Sequence, residues 1–275
     1  PSSLCGVFGI KPTQGRVPRP YTGPGGWGQF SQNGPMARTV RDAAILLQVM
    51  AGPDSGDPIS LKETPPEFSA ALNKGVRGLR LGWTPDLGSL PVDPEVKRIT
   101  RESVKAFEEM GAIVEEAEME IDHDEVRNLF MTIWLSDYLA SYGELMVTRR
   151  SELTPLLAEM LEEAMEWPAS RLASALRGLE WHRDRMDNII RRYDLLLTPT
   201  LATAAFPVGK RPSVIDGREV DTFWGFSPFT FPINMSGHTA SSVPCGFTSD
   251  GLPVGLHIIG HRGAEAMVLQ ASAAF

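Results

Sequence analysis

Cysteine is scarce in this sequence, and its scarcity limits the chemistry that is available. Cys5 and Cys245 are the two cysteines among 275 residues, too few for a disulfide framework in a chain of this size. The five histidines lack the close pairings of zinc sites, and there is no Cys-x-x-Cys motif. No apolar run reaches the roughly 18 residues that a membrane span requires, and no secretory segment is visible. We therefore expect no metal, no cofactor and no membrane association.

The sequence also lacks any concentration of positive charge. Lysine and arginine number 26 against 34 aspartates and glutamates, giving a net charge of −8, and the two signs are interleaved. A nucleic-acid surface needs a concentrated basic stripe. The charge pattern therefore predicts no nucleic-acid partner. We also expect a small-molecule substrate and a cytoplasmic location.

Several common catalytic and nucleotide-binding motifs are missing as well. There is no Gly-x-Ser-x-Gly elbow and no Walker or dinucleotide glycine pattern. The GPGGWG run at 23–28 lacks the lysine and the following helix that a phosphate cradle requires. The pairs Ser2-Ser3 and Ser241-Ser242 offer hydroxyl groups. No lysine or histidine lies at a sequence spacing from them that would indicate a catalytic base.

One alternative uses a thiol nucleophile. Cys245 with His238 and Asp250 has suitable residue types, because an imidazole activates a thiolate and a carboxylate orients the imidazole. The apolar run SSVPCGF around Cys245 instead favours a buried, inert thiol.

The first half of the chain alternates strand and helix signals. The run Val7–Ile10 predicts a buried strand. A helix follows from Thr39, which can cap it, to Met50, before Gly52-Pro53. From Leu79 to Val114 the pattern is strand, helix and strand, with Asp93-Pro94 beginning the helix, which predicts a right-handed crossover between parallel strands.

The second half begins with a helical stretch and returns to strands. Residues 122–192 read almost entirely as helix, with aromatic residues at helical spacing that favour core packing. Leu195–Leu197 predicts a buried strand, and Asp250-Gly251 marks a hairpin turn between two apolar runs. The pattern as a whole predicts an α/β fold with a mixed sheet, helices on both faces and an inserted helical block at about 122–192. Long loops at 16–35 and 207–232 follow strand ends, where open α/β sheets bind ligands.

Four segments together resemble the amidase-signature family. PSSLCGVFGIKPTQGRV resembles the segment that directly follows that family's Gly-Gly-Ser-x-Arg-x-Pro nucleophile run. GPMARTVRDAAILLQVMAGPDSGDP, YDLLLTPT and FTFPINMSGHTASSVPCGFTSDGLPVGLHIIG are similar to its later blocks, in the same order. Nothing resembles the Arg-Arg-x-x-Leu-Gly segment of the tRNA-dependent amidotransferases, which favours a stand-alone amidase.

The resemblance implies an activity whose catalytic residues are outside this sequence. The family hydrolyses carboxylic amides through a Ser–cis-Ser–Lys triad and an acyl-enzyme. The match places the nucleophile a few residues before Pro1 and the other two triad residues further upstream, so we expect no catalytic residue in residues 1–275 and no activity of this chain alone. Ser2 and Ser3 follow the Arg-x-Pro step, so we interpret them as structural.

The resemblance also implies that this chain carries the substrate pocket. The two long loops would form the walls of the pocket and supply apolar or stacking surfaces. Anchoring of the loops by the same aromatic side chains is the alternative interpretation. The substrate-binding candidates are Trp27, Phe30, Phe223, Trp224 and Phe226.

We interpret residues 1–275 as a single, incomplete amidase-signature domain. Cutting a central sheet leaves an open edge and an uncovered apolar face, so we expect association with the missing N-terminal part or with another copy. A non-catalytic binding or interaction module derived from the same fold is the alternative function.

Overall fold

The computed structural model describes residues 1–20 and 30–275, and a mixed β-sheet lies at its centre. The strands in these residues are β1 (Phe8–Lys11), β2 (Met36–Ala37), β3 (Arg80–Trp83), β4 (Ile113–Glu116), β5 (Leu195–Pro199), β6 (Val214–Ile215), β7 (Arg218–Glu219), β8 (Thr239–Phe247) and β9 (Pro253–Gly260). Seven of them pair in the order β2-β1-β8-β9-β5-β3-β4, and β6 pairs with β7 in a separate ribbon.

Helices flank this sheet and fill the long stretch between β4 and β5. They are α1 (Ser2–Cys5), α2 (Val40–Met50), α3 (Pro94–Glu109), α4 (His123–Thr148), α5 (Pro155–Met165), α6 (Ala169–Ile190), α7 (Phe231–Ser236) and α8 (Glu265–Ala274). Single 3₁₀ turns lie at Phe68–Ala71 and Arg150–Glu152. Helices α4, α5 and α6 occupy the stretch predicted to be helical. None of the described helices is long and apolar enough to cross a membrane.

The predicted capping residues begin the first two long helices. The Thr39 hydroxyl accepts a hydrogen bond from the Asp42 amide at 3.1 Å, at the start of α2. The Asp93 carboxylate accepts from the Val96 amide at 3.2 Å, and Pro94 occupies the first position of α3. Each cap satisfies amide groups that have no partner inside the helix, which is why these helices begin at these residues.

Strand pairing also follows the predicted pattern. Strands β3 and β4 are parallel, with Leu81 opposite Val114, and α3 connects them. Strands β8 and β9 form an antiparallel hairpin in which Ser242 lies opposite His257. The turn between them contains Gly251 with φ +77°, a conformation that glycine adopts without steric cost.

The two faces of the sheet bury different side chains. One face packs against α2, α3 and α8 through apolar residues such as Leu197 and Ile258. The opposite face packs against α6 and α7 through Leu196 and Ile259. Because side chains alternate along a strand, residues two positions further along share this second face. On β5, Thr198 lies two residues after Leu196, and on β9, His257 lies two residues before Ile259. The second face is therefore polar at Thr198 and His257.

Candidate active site

Helix α1 lies directly against the polar part of the second face. A Cβ atom built on Gly255 of β9 would lie 2.7 Å from the Ser3 hydroxyl, and one built on Gly9 of β1 would lie 2.8 Å from Ser2. Ser2 and Ser3 are buried in these contacts. Their positions favour the structural role expected for both serines.

A patch of buried hydroxyls and one imidazole lies beside α1. We call Thr198, Thr200, Ser242 and His257 the polar patch. The hydroxyl oxygens of Thr200 and Ser242 are 2.9 Å apart, and the Thr198 hydroxyl donates to the Pro199 carbonyl at 2.7 Å. His257 Nδ1 is 3.5 Å from Thr198 Oγ1. Burial, and then the nearby positive charge of Lys11, lower the pKa of His257 to about 3, so this imidazole is neutral at pH 7.

Lys11 ends β1 on the same face of the sheet. Its ammonium donates to Gln32 Oε1 at 2.6 Å, to the Pro12 carbonyl at 3.1 Å and to the His238 carbonyl. Burial lowers the pKa of Lys11 to about 7, while Glu265 acts in the opposite direction. The three oxygen acceptors match the three donors of an ammonium and therefore anchor the loop after β1 to the start of β8.

The KPTQGR segment is held by a buried carboxylate at the start of α8. Glu265 is fully buried and accepts a hydrogen bond from the Thr13 amide at 2.8 Å. Its other oxygen is 3.4 Å from Arg16 Nε, and Arg16 is also buried. The Thr13 hydroxyl accepts from the Gly263 amide at 2.7 Å. These contacts join the chain after β1 to the start of α8.

Three of the predicted pocket residues meet in one aromatic cluster. Phe130 of α4 lies at its centre. The centroid of the Phe130 ring is 5.9 Å from that of Phe30 and 5.1 Å from that of Trp224, which packs against it edge-on. Trp134, one turn further along α4, lies 5.3 Å from Phe223. We define the aromatic cluster as Phe30, Phe130, Trp134, Phe223, Trp224 and Phe231.

Phe226 packs against a different aromatic ring. The Phe226 ring packs edge-on against Phe206, at 5.1 Å between centroids. Its carbonyl accepts a hydrogen bond from the Ala202 amide at 3.0 Å, which holds the loop after β5. Trp27 lies outside the described residues.

Sequence reasoning missed the central members of the cluster. Phe130 and Trp134 stand four residues apart on α4, so they project from the same side of the helix. That spacing favoured core packing. In the structure both side chains are indeed buried, and they also form the surface that receives the two loops. The sequence feature that could have identified Phe130 and Trp134 is their spacing on a helix within the inserted block.

A cavity of about 580 Å³ lies beside the aromatic cluster. The segments that follow β3 and β4 in the chain contribute to its lining, at residues 89–91 and 121–124. Trp224 and Phe231 supply apolar surface, and Arg127 and Asp221 line the same cavity with their charged groups 3.7 Å apart.

The structure does not assemble the thiol alternative. His238 precedes β8 and Cys245 lies seven residues along that strand, about 23 Å away at roughly 3.3 Å per residue. The His238 ring instead contacts Ser236 at 2.8 Å and Asp187 at 3.0 Å, and Ser236 and His238 are fully buried. Burial raises the pKa of the Cys245 thiol to about 11, so it is a poor nucleophile.

Comparison with known proteins gives consistent matches along the chain. The family model described as Amidase matches residues 1–269. An acylamidase from Rhodococcus erythropolis is 38% identical over 282 residues, which cover 100% of this chain and 58% of that protein. A glutamyl-tRNA(Gln) amidotransferase subunit from Moorella thermoacetica is 34% identical over 305 residues, covering 100% of this chain and 60% of that protein.

Solved structures have the same fold. The crystal structure of a bacterial aryl acylamidase belonging to the amidase-signature family superposes with a TM-score of 0.89 at 31% identity, covering 99% of this chain and 58% of that one. A chain of a vestigial protein complex, described as revealing the evolutionary origins of an s-triazine catabolic enzyme, superposes with a TM-score of 0.90 at 24% identity, which supports the fold alone. This chain therefore spans about three-fifths of the length of the relatives that it matches.

Proposed function

This chain belongs to the amidase-signature family, and from that premise we propose that it is the C-terminal, pocket-bearing part of an amide hydrolase. The observation that carries the proposal is the match of the family model over residues 1–269. In this proposal the Ser–cis-Ser–Lys triad lies upstream of Pro1. The substrate is a small carboxylic amide, and the protein acts in the cytoplasm.

The chemistry follows the needs of a serine nucleophile. A serine hydroxyl attacks an amide carbonyl only when a base removes its proton, and a neutral lysine acts as that base through the bridging serine. Attack forms a tetrahedral intermediate whose oxyanion accepts hydrogen bonds from backbone amides. Its collapse breaks the C–N bond, the amine leaves with a proton, and water then hydrolyses the acyl ester to a carboxylic acid.

The position of α1 supports this assignment. The nucleophile would be a few residues before Pro1, and α1 rests on β1, β8 and β9 beside the polar patch. A reacting carbonyl above Thr200 and Ser242 would also lie next to the loop that follows β5. In that loop the Ala202 amide donates to the Phe226 carbonyl at 3.0 Å, which supports a proposed reaction centre close to Phe226.

We further propose that the aromatic cluster binds the apolar or aryl part of the substrate. Phe30, Phe223 and Trp224 would form the binding surface, with Trp27 and Phe226 as the further predicted residues. Aromatic rings offer large apolar contact areas and prefer stacked or edge-on partners. Two relatives are named an acylamidase and an aryl acylamidase, which supports an acyl substrate of this kind.

Replacing Trp224 with alanine tests this pocket. We expect kcat/KM for an aryl amide to fall about ten-fold or more, relative to that for acetamide, because the variant loses a stacking surface specific to the larger substrate. Trp181 is 70% exposed on α6, and its replacement with alanine is the matched control, with no expected change in the ratio. Equal losses for the aryl amide and acetamide in Trp224→Ala would contradict the assignment.

The expected association of the chain is supported by an exposed apolar surface at the edge of the sheet. Met36 on β2 and Ile45, Leu46 and Val49 on α2 are all exposed, and β2 is an edge strand. Exposed apolar side chains on a helix and on the edge strand that it contacts are typical of a contact site. We predict that isolated residues 1–275 self-associate, as measured by light scattering. A monodisperse, well-folded monomer would contradict the prediction.

The direct test of the proposed function is an assay of the complete gene product that carries this chain. We expect hydrolysis of simple amides by the complete product and none by residues 1–275 alone. Robust activity of the isolated chain would contradict the upstream position of the triad. A complete product that binds amides without hydrolysing them would favour the non-catalytic module.

A further inference from the structure

We propose that Gly255 and Gly9 are positioning residues that set the depth of the nucleophile relative to the sheet. The inference rests on the proposed function, because it requires a nucleophile just before α1. Gly255 lies on β9 and Gly9 on β1, with β8 between them, and α1 spans the three strands. Both glycines lie beneath α1 at the same face as the polar patch.

Close approach, and not backbone conformation, explains the glycine at position 255. A Cβ atom there would lie 2.6 Å from the Ser242 hydroxyl oxygen, 2.7 Å from the Ser3 hydroxyl oxygen and 2.9 Å from Ser3 Cβ. Gly255 has no positive φ, so alanine would fit its backbone without strain. The added methyl would instead push directly on α1 and on β8.

Gly9 makes the equivalent contact on the other side of α1. A Cβ atom there would lie 2.8 Å from both the Cβ and the hydroxyl oxygen of Ser2. The two glycines therefore face consecutive residues of α1. Together they let the first turn of this helix touch the sheet without an intervening side chain.

Helix α1 is positioned by its contacts with the sheet. Its residues Ser2–Cys5 form about one turn, which ends before Gly6 with φ 63°. One turn has few internal hydrogen bonds, so the position of these residues depends on their contacts with the sheet. Hydrogen bonds fix the strand residues on the sheet side of this contact. The Gly255 carbonyl accepts from the Thr200 amide at 2.9 Å, and Ser242 contacts the Thr200 hydroxyl.

A displacement of α1 would be transmitted to the reaction centre. In the proposed function only a few residues separate the nucleophile from Ser3. A misplacement of about 1 Å in a catalytic group can lower the rate by about 100-fold. An added methyl at Gly255 or Gly9 should therefore slow acylation without altering the aromatic cluster that binds the substrate.

The test compares Gly255→Ala, Gly9→Ala and Gly143→Ala in the complete gene product. Gly143 lies in α4, where the nearest atom to an added Cβ is 3.5 Å away, so it is the matched control. Active sites are titrated with a fluorophosphonate, which labels activated serines. For the first two variants we expect kcat per titrated site to fall at least about ten-fold, with KM changed less than about two-fold. The control should keep the wild-type values.

A compensating variant tests the contact itself. Adding Ser3→Ala to Gly255→Ala removes the hydroxyl 2.7 Å from the new methyl and should restore part of kcat. Ser3→Thr adds a methyl from the helix side, so it tests the same contact if the glycine variants do not fold. We expect it to lower kcat per titrated site as well.

The outcomes separate this inference from the proposed function. If kcat per titrated site stays at the wild-type value in Gly255→Ala and Ser3→Thr, these residues serve folding alone and the inference is wrong. If the wild-type product is neither labelled by the fluorophosphonate nor active on amides, the proposed function fails, and the inference fails with it.

Discussion

Arg16→Ala is expected to lower the free energy of unfolding of the complete gene product by about 3–5 kcal/mol. Arg16 and Glu265 are 2% and 0% exposed, and Arg16 Nε lies 3.4 Å from a Glu265 oxygen. Without Arg16 the Glu265 carboxylate would remain buried and would keep its hydrogen bond from the Thr13 amide at 2.8 Å. A buried charge that loses its partner keeps its desolvation cost, which explains the size of the effect.

Two further variants make this result specific to the buried pair. Arg16→Leu combined with Glu265→Leu removes both charges, so it should cost less than Arg16→Ala alone. Arg98→Ala is the matched control, because Arg98 forms an exposed pair with Glu102 and should cost at most about 1 kcal/mol. Chemical denaturation measures all three. Equal costs for Arg16→Ala and Arg98→Ala would contradict the account of this contact.

His257→Gln is expected to reduce the loss of stability in acid. The pKa of His257 is lowered from 6.5 to about 3 by burial and by Lys11, so the unfolded chain binds a proton between these pH values and the folded protein does not. Stability from the neutral imidazole is therefore fully present above pH 6.5 and is lost as the pH falls toward 3. The loss is about 1.4 kcal/mol per pH unit for one histidine.

The measurement is the free energy of unfolding at pH 7, 6, 5 and 4. Glutamine stays neutral throughout. Between pH 6 and 4 the free energy of unfolding of the variant should therefore fall less steeply as the pH is lowered, and the difference in slope should correspond to about one bound proton. His238→Gln provides the comparison. Burial, Arg262 and Lys11 lower the pKa of His238 to about 3 as well, so its replacement should reduce the acid loss by a similar amount. Parallel curves for wild type and His257→Gln would contradict the prediction.

Local signals in the sequence were sufficient for much of the fold. Thr39 and Asp93-Pro94 predicted the starts of α2 and α3, because a cap is an interaction between residues two or three positions apart. Asp250-Gly251 predicted the β8–β9 hairpin for the same reason. The mixed sheet followed from the order of these elements, and the matching α/β fold of the relatives confirms it.

The pocket candidates were harder to predict, because their contacts join distant parts of the chain. Phe30 and Trp224 are 194 positions apart in the sequence, yet both pack on Phe130. Phe226, two residues after Trp224, contacts Phe206 instead. Neighbouring aromatic residues in an irregular loop have no periodicity that assigns them to a side, so the sequence could not separate these two environments.

The glycines beneath α1 illustrate a second limit. Gly9 and Gly255 lie within predicted strands, where a glycine indicates either a bulge or a close approach of another segment. The sequence does not say which segment approaches. The fold identifies it as α1, through the contacts of Ser2 and Ser3.

The central claim is that this chain surrounds a serine nucleophile that lies just upstream of Pro1. The most direct measurement is to label the complete, active gene product with a fluorophosphonate and to identify the modified residue by peptide mass spectrometry. The account predicts a single modified serine in a Gly-Gly-Ser run a few residues before Pro1, with complete loss of amide hydrolysis. Modification of Ser2, Ser3 or any other residue of 1–275, accompanied by loss of activity, would contradict it.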